Sequence, residues 1–490
     1  MQKRNLLIII LFLFTGTIGW SAERIRQNFD FDWQFRLGEQ GIYKPVQLPH
    51  DWSIELDFNE EVGPESGYLP GGIGYYKKDF NVPASYKGKR VSIVFDGIYH
   101  KATIYLNGQE VDYHRYGYTS FETDLTPYLK YGGKNTLSVK VDHSEKSRWY
   151  TGSGIYRHVW MQVTNPIHVK MWGTYITTPR VSAESAIVSC VTTVANTSAL
   201  TGEIEIMQRI VDAQGNLLKI NGKQYAARTE VVMPENGTKD IAQSFTLSNP
   251  QLWNLEKPYL YRLETILKQK GKVIDRYTTR FGVRTIGFDK DKGFFLNGKN
   301  IKMKGACLHQ DAGCLGVAVP NRSYERRLTI LKEFGANAIR CSHNPPSPEF
   351  LNYCDSIGFL VVDEAFDKWK SGYYEQFFDE CWQQDIRDMI VRDRNHPSIV
   401  LWSIGNELAE ATRKDNVGVE RATLLRDFVH KLEPTRPTML ALAPAYQDKF
   451  ASVTDVVGYN YSELSYIEDK KKHPERIGLI SESYPYYSGL

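Results

Sequence analysis

The stretch Ile399 to Glu407, IVLWSIGNE, reads as a buried strand that ends in chemistry. Four apolar residues follow the charged, helix-like FDECWQQDIRDMIVRDRNH, and Gly405 punctuates the end, so Asn406 and Glu407 fall at the strand's C-terminal edge. In a (β/α)8 barrel that edge is the active-site rim. An Asn-Glu pair equally suits a helix N-cap followed by a first-turn carboxylate. The pattern recurs, however, at Glu482 in IGLISESYP, after another apolar run and before turn residues. Two carboxylates so placed suit glycoside hydrolysis, where one protonates the leaving oxygen and the other attacks the anomeric carbon or activates water.

The 490 residues exceed one ordinary domain, and roughly 100 to 200 residues per domain predicts two to four. With 60 basic and 57 acidic residues the net charge is +3, which implies no polyanionic partner such as nucleic acid. The N-terminus has the three parts of a secretory signal: Lys3 and Arg4, the apolar run Leu6 to Phe14, then Gly19, Ser21 and Ala22. The run is shorter than the about 20 residues of a membrane span. The expectation is export to the periplasm or medium, with cleavage near Ser21 or Ala22 and no membrane association afterwards. Six cysteines stand singly, without the CxxC pairs of zinc or redox sites, although an exported chain could join Cys307 to Cys314.

From Phe29 to about Val163 short alternating strands such as KRVSIVFDGI and KATIYLNGQEV, with Asn107-Gly108 as a hairpin cue, predict a β jelly-roll over residues 23–165. A second all-β unit over 166–284, with strands such as AIVSCVTTV and YLYRLETILKQ, predicts an immunoglobulin-like β-sandwich. From Thr285 the grammar changes to strand-helix alternation. IKMKGACLH, ANAIRCS, LVVDEAF, IVLWSIGN, TMLALA, DVVGYN and IGLISES are seven candidate strands in a row, predicting a TIM barrel over 285–490. An eighth strand and helix do not fit before Leu490, so the expectation is a fragment of a longer chain or a truncated product, incomplete in its catalytic barrel.

The three-domain order, with LPHDW (48–52), WYTGSGIYRHVW (149–160), FGVRTIGF (281–288), IRCSHNPP (339–346), VVDEAF, RNHPSIVLWSIGNE (394–407) and SESYP, resembles glycoside hydrolase family 2 over nearly the whole mature chain. The resemblance implies a retaining exo-β-glycosidase with Glu407 as acid/base and Glu482 as nucleophile. It implies Tyr461, in GYNYSE, as the hydroxyl bonded to that nucleophile, Asn406 as the ligand of the sugar 2-hydroxyl, and His309 and His343 as subsite residues. Barrel geometry agrees: strands four and seven face each other across the rim, and a retaining pair stands about 5 to 5.5 Å apart. Arg340 and Asp363 also end strands, where substrate contact and a structural ion-pair network are both open; His396 suits a cap of the helix-to-strand turn.

Some family β-galactosidases hold magnesium through a Glu and a His after VDEA; Lys368 and Lys370 stand at those positions, which implies no metal and no cofactor. Before WYTGSGIYR, where the family places an acidic or amide sugar contact, DHSEKSRWY offers Glu145 or Lys146. The expected partner is a carbohydrate substrate, β-galactosides first, and a homo-oligomer is compatible with the sequence. The runner-up is a β-glucuronidase or another family specificity. An alternative of another class is an inactive fragment serving as a carbohydrate-binding module.

Overall fold

Alternating apolar and polar residues build two sandwiches before the barrel begins. The computed structural model describes residues 23–145, 147–220 and 223–483, so the signal-like residues 1–22 and the segment 484–490 lie outside the described residues. In the jelly-roll a four-stranded sheet faces a six-stranded one over a core that includes Trp33, Tyr76, Phe95 and Val139. Asn107 and Gly108 join Ala102–Leu106 to Gln109–His114 with φ of 54° and 84°, the left-handed pair that a tight hairpin demands. The second unit is a sandwich of three and four antiparallel strands.

The barrel strands are Gly305–Leu308, Ala338–Cys341, Leu360–Glu364, Ile399–Asn406, Thr438–Leu442, Val456–Asn460 and Gly478–Glu482. All seven pair in parallel and in sequence order. The first and seventh approach each other where the Cys307 thiol donates to the Ser481 carbonyl at 3.1 Å. Cys307 and Cys314 are both free thiols. The helices between strands carry the expected apolar stripes; Phe378–Asp393, for example, buries Trp382, Ile386, Met389 and Ile390. No helix among the described residues is long and apolar enough to cross a membrane.

Two features escape the strand-helix reading. Residues 286–300 form a small antiparallel sheet ahead of the first barrel strand. Its Phe288 packs on Val362, Leu401, Met439 and Val456 from strands three to six, filling the barrel floor that side chains must occupy. At the opposite end the jelly-roll joins the barrel core: Tyr99, Tyr116, Tyr118 and Tyr156 belong to one apolar cluster with Phe366 and Trp369. Arg157 donates to the Tyr118 carbonyl at 2.9 Å within the jelly-roll and to the Pro345 carbonyl at 2.8 Å across the domain boundary. The Asp51 carboxylate accepts from the amides of Ser153 and Val317 at 2.9 and 3.0 Å. These contacts seat LPHDW and WYTGSGIYR against the C-terminal mouth of the barrel.

Candidate active site

Strand four is buried over its full length, and the chain leaves it through Glu407 at φ 46°. Tyr461 leaves strand six likewise at φ 51°. Left-handed backbone at a non-glycine residue is strained and persists only where surrounding bonds fix it. Here the Glu407 amide donates to the Ala441 carbonyl and the Tyr461 amide to the Glu482 carbonyl, each at 2.8 Å. The turns lift both side chains out of the pleat toward the mouth.

The Glu482 carboxylate is gripped from two sides. Its Oε2 accepts from the Tyr461 hydroxyl at 2.5 Å and its Oε1 from Arg340 Nη1 at 2.7 Å. Burial pushes this carboxyl up, but the Tyr461 hydrogen bond and the Arg340 charge outweigh it and hold the group below its usual value, hence ionised. The same hydrogen bond, aided by burial, pushes the Tyr461 hydroxyl well up, so it remains a donor.

Arg340 is itself buried, and it forks onto Glu364 Oε2 from Nε and Nη2 at 3.0 and 2.7 Å. Glu364 is fully buried; burial opposes its charge, yet Arg340 and His343 hold its carboxyl down at about 2. His343 Nδ1 lies 2.6 Å from Glu364 Oε1, and its Nε2 lies 3.7 Å from Glu482 Oε1.

Asn406 is the hub between the two carboxylates. Its Oδ1 accepts from Arg340 Nη2 at 3.0 Å and Asn460 Nδ2 at 2.9 Å, while its Nδ2 donates to Asp367 Oδ1 at 3.0 Å. Asn460 Nδ2 also reaches Glu407 Oε1 at 3.2 Å. One continuous network therefore runs from Glu407 through Asn460, Asn406 and Arg340 to Glu482. Over its mouth His309, Trp149 and His343 pack ring to ring, with centroids 5.2 to 5.6 Å apart. His309 Nδ1 is buried with no hydrogen-bond partner among the described residues.

The structure thus gathers Glu407, Glu482, Tyr461, Asn406, His309, His343 and Arg340 at one mouth. Asp363 does not join them. Successive strand residues face opposite sides, so Glu364 points to Arg340 and Asp363 points outward, where burial and the Asp393 carboxyl push it well above the usual range. The VVDEAF motif contributes its Glu, which sequence reasoning missed by one position. His396 lies away from the mouth, 2.6 Å from Asp355.

Glu145 is likewise elsewhere, paired to Lys101 at 2.6 Å, and Lys146 lies outside the described residues. The residue that the segment delivers to the mouth is Arg148, whose Nε donates to Asp367 Oδ2 at 2.8 Å. Lys368 Nζ donates to the Asn406 carbonyl at 2.8 Å and to Asp367 at 2.9 Å. An ammonium committed to these oxygens does not fit a cation site, and Lys370 is turned away onto Asp379. Asp367 and Asn460 carried no sequence signal beyond lying next to strand ends.

The chain matches known proteins over all three of its domains. Residues 31–166 match the glycosyl hydrolases family 2 sugar binding domain, residues 167–284 match glycosyl hydrolases family 2, and residues 289–481 match the glycosyl hydrolases family 2 TIM barrel domain. The chain is 40% identical to the β-galactosidase BoGH2A of Bacteroides ovatus over 94% of its own length and 60% of the relative's. It is 30% identical to a β-glucuronidase of Bacteroides fragilis, covering 96% of this chain and 70% of that one. A crystal structure of a glycosyl hydrolase family 2 member from Bacteroides cellulosilyticus superposes with a TM-score of 0.89 at 39% identity, covering 94% of this chain and 61% of that one. The first curated relatives are longer proteins, of which this chain spans 42 to 60%.

Proposed function

The chain belongs to glycoside hydrolase family 2, and from that premise we propose that it is the catalytic part of a retaining exo-β-glycosidase, with terminal β-galactosides its first substrates. The observation that carries this reading is the unequal treatment of two carboxylates on one network. Glu482 is held ionised by Tyr461 and Arg340, whereas among the described residues the Glu407 carboxylate accepts from the Asn460 amide alone.

The chemistry follows from that asymmetry. Ionised Glu482 attacks the anomeric carbon while Glu407 protonates the departing oxygen; Glu407 then takes a proton from the water that releases the sugar from Glu482. As Glu482 gives up its charge to the new ester bond, the Tyr461 hydroxyl is freed to turn elsewhere. Arg340 keeps its charge balanced by Glu364 throughout. Asn406 is fixed by four side-chain partners, so it presents a preset amide to the sugar beside the reacting carbon.

The β-galactosidase preference is supported by the 40% identity to a protein of that name, and a β-glucuronidase reading by the 30% identity to one of that name. The carbohydrate-binding alternative is disfavoured, since binding alone needs neither the second carboxylate nor the Tyr461 donor. Export is part of the proposal, supported by Lys3, Arg4 and the apolar run behind them. The test is turnover of a panel of aryl β-glycosides, followed by trapping with a 2-deoxy-2-fluoro glycoside of the sugar that is hydrolysed. A covalent adduct on the peptide carrying Glu482 is expected; an adduct elsewhere, or inverted product, would overturn the assignment.

A further inference from the structure

A cavity of about 180 Å³ shares His343 with the catalytic cluster and opens between the jelly-roll and the loop after the third barrel strand. Aromatic rings form its wall, among them Tyr116, Trp149 and Phe366, and its charged rim is Arg148, Asp367 and Lys368. The Asp367 carboxylate is saturated: Oδ2 accepts from Arg148 Nε, and Oδ1 from Asn406 Nδ2, Lys368 Nζ and, at 3.3 Å, Arg148 Nη2. The cations are not. Arg148 has half its side chain exposed, and Nη1 makes no hydrogen bond among the described residues; Lys368 spends two of its three N–H groups.

Two cations therefore face one carboxylate, and the charged rim has only donors left to offer. A sugar hydroxyl brings a proton that this rim cannot accept, whereas an oxyanion brings acceptors alone. A guanidinium also meets sulfate or carboxylate in a forked geometry that lysine cannot copy. Lys368 and Asp367 are largely buried beside the aromatic wall, which strengthens a contact on their side of the rim, while the exposed side of Arg148 gives a ligand its way in.

We propose that this cavity is a subsite for an oxyanion carried by the terminal sugar, a sulfate ester or a carboxylate, with Arg148 the specificity-determining residue and Lys368 a second donor. The inference rests on the glycosidase reading and adds the substituent that the sugar bears.

The experiment compares kcat/KM for an aryl β-galactoside, its monosulfate esters and the aryl β-glucuronide on the full chain and on Arg148→Met and Arg148→Lys. At least one acidic substrate is expected to exceed the neutral one, and Arg148→Met to lower that substrate by about 10- to 100-fold, mainly through KM, as befits one lost charge-assisted contact. The neutral galactoside also registers the loss of the Arg148 contact to Asp367, so the expected signature is a loss at least about tenfold greater on the acidic substrate than on the neutral one, with Arg148→Lys recovering part of that difference. The acidic substrate that responds separates sulfate from carboxylate. Equal losses on neutral and acidic substrates would overturn the proposal, because Arg148 would then only prop Asp367 and Asn406.

Calorimetric titration of the corresponding methyl glycosides runs on the same samples. Selective binding of an acidic glycoside that Arg148→Met abolishes, without turnover of any substrate, would sink the glycosidase reading and leave the subsite standing. No preference for an acidic glycoside in either assay would sink the subsite.

Discussion

The Tyr461 hydroxyl stands 2.5 Å from Oε2 of Glu482, donated from the end of the sixth barrel strand to the end of the seventh. Asn460 and Glu482 are register partners on those strands, so the contact is fixed by backbone pairing rather than by a flexible side-chain reach. It is the closest support the proposed nucleophile has for its negative charge.

Tyr461→Phe removes that donor. Loss of one hydrogen bond to a charged group, about 1.5–3 kcal/mol, corresponds to roughly 10- to 100-fold in rate. Because the donor stabilises the carboxylate, its loss raises the Glu482 pKa, so the acidic limb of kcat/KM should move to higher pH. A pH–rate profile of the variant checks this; an acidic limb that stays in place would separate Tyr461 from the ionisation of Glu482.

Glu407→Ala should lower turnover by about 10² to 10⁴, the usual contribution of a general acid/base. The loss should shrink on aryl glycosides whose leaving group needs no proton, and azide should restore rate by supplying a small nucleophile for the second step. Glu482→Ala should show neither leaving-group relief nor a retained β-glycosyl azide. Product analysis of both variants with azide present distinguishes the two roles, and identical behaviour would dismiss them.

The buried acids give stability two opposite pH dependences. Glu364, held at about 2, is lower folded than the about 4.3 of an unfolded Glu, so the stability it contributes is complete above the unfolded value and is lost as pH falls toward 2. Asp363 is raised when folded, so its contribution is complete below about pH 3.9, the unfolded value, and is lost as pH rises through its elevated folded value. Asp363→Asn should therefore raise the unfolding temperature more at alkaline than at acid pH. Unfolding midpoints of wild type and variant across that range decide it, and a pH-independent difference would contradict the ionisation argument.

Chelation should leave the hydrolytic rate unchanged. Lys368 places its ammonium on the oxygens of Asp367 and Asn406 beside Glu407, so the charge there is covalently attached and does not wash out. The check is turnover after exhaustive dialysis against EDTA, with and without added magnesium. A loss that magnesium restores would mean that a cation contributes after all.

Much of this was legible in the chain. Periodicity placed the seven strands and the helices between them, and the polar residues just past each apolar run marked Asn406, Glu407 and Glu482. What periodicity could not resolve was phase within VVDEAF, where an all-apolar lead-in to a strand buried on both faces gives no alternation to read. Choosing between Asp363 and Glu364 required knowing that Arg340 lies inside the barrel on the adjacent strand.

Local spacing along one chain is enough to read the order of the domains, the succession of barrel strands and the residues at their ends. The role of Asn406 as the hub joining both carboxylates, and the arrival there of Arg148 from more than 200 residues earlier, follow from the folded barrel alone. The small three-stranded sheet of residues 286–300 belongs with these, since its apolar residues find their partners only once four strands have closed a floor around Phe288. Such choices depend on contacts between distant residues, where burial and charge pairing select among side chains that local pattern leaves equivalent.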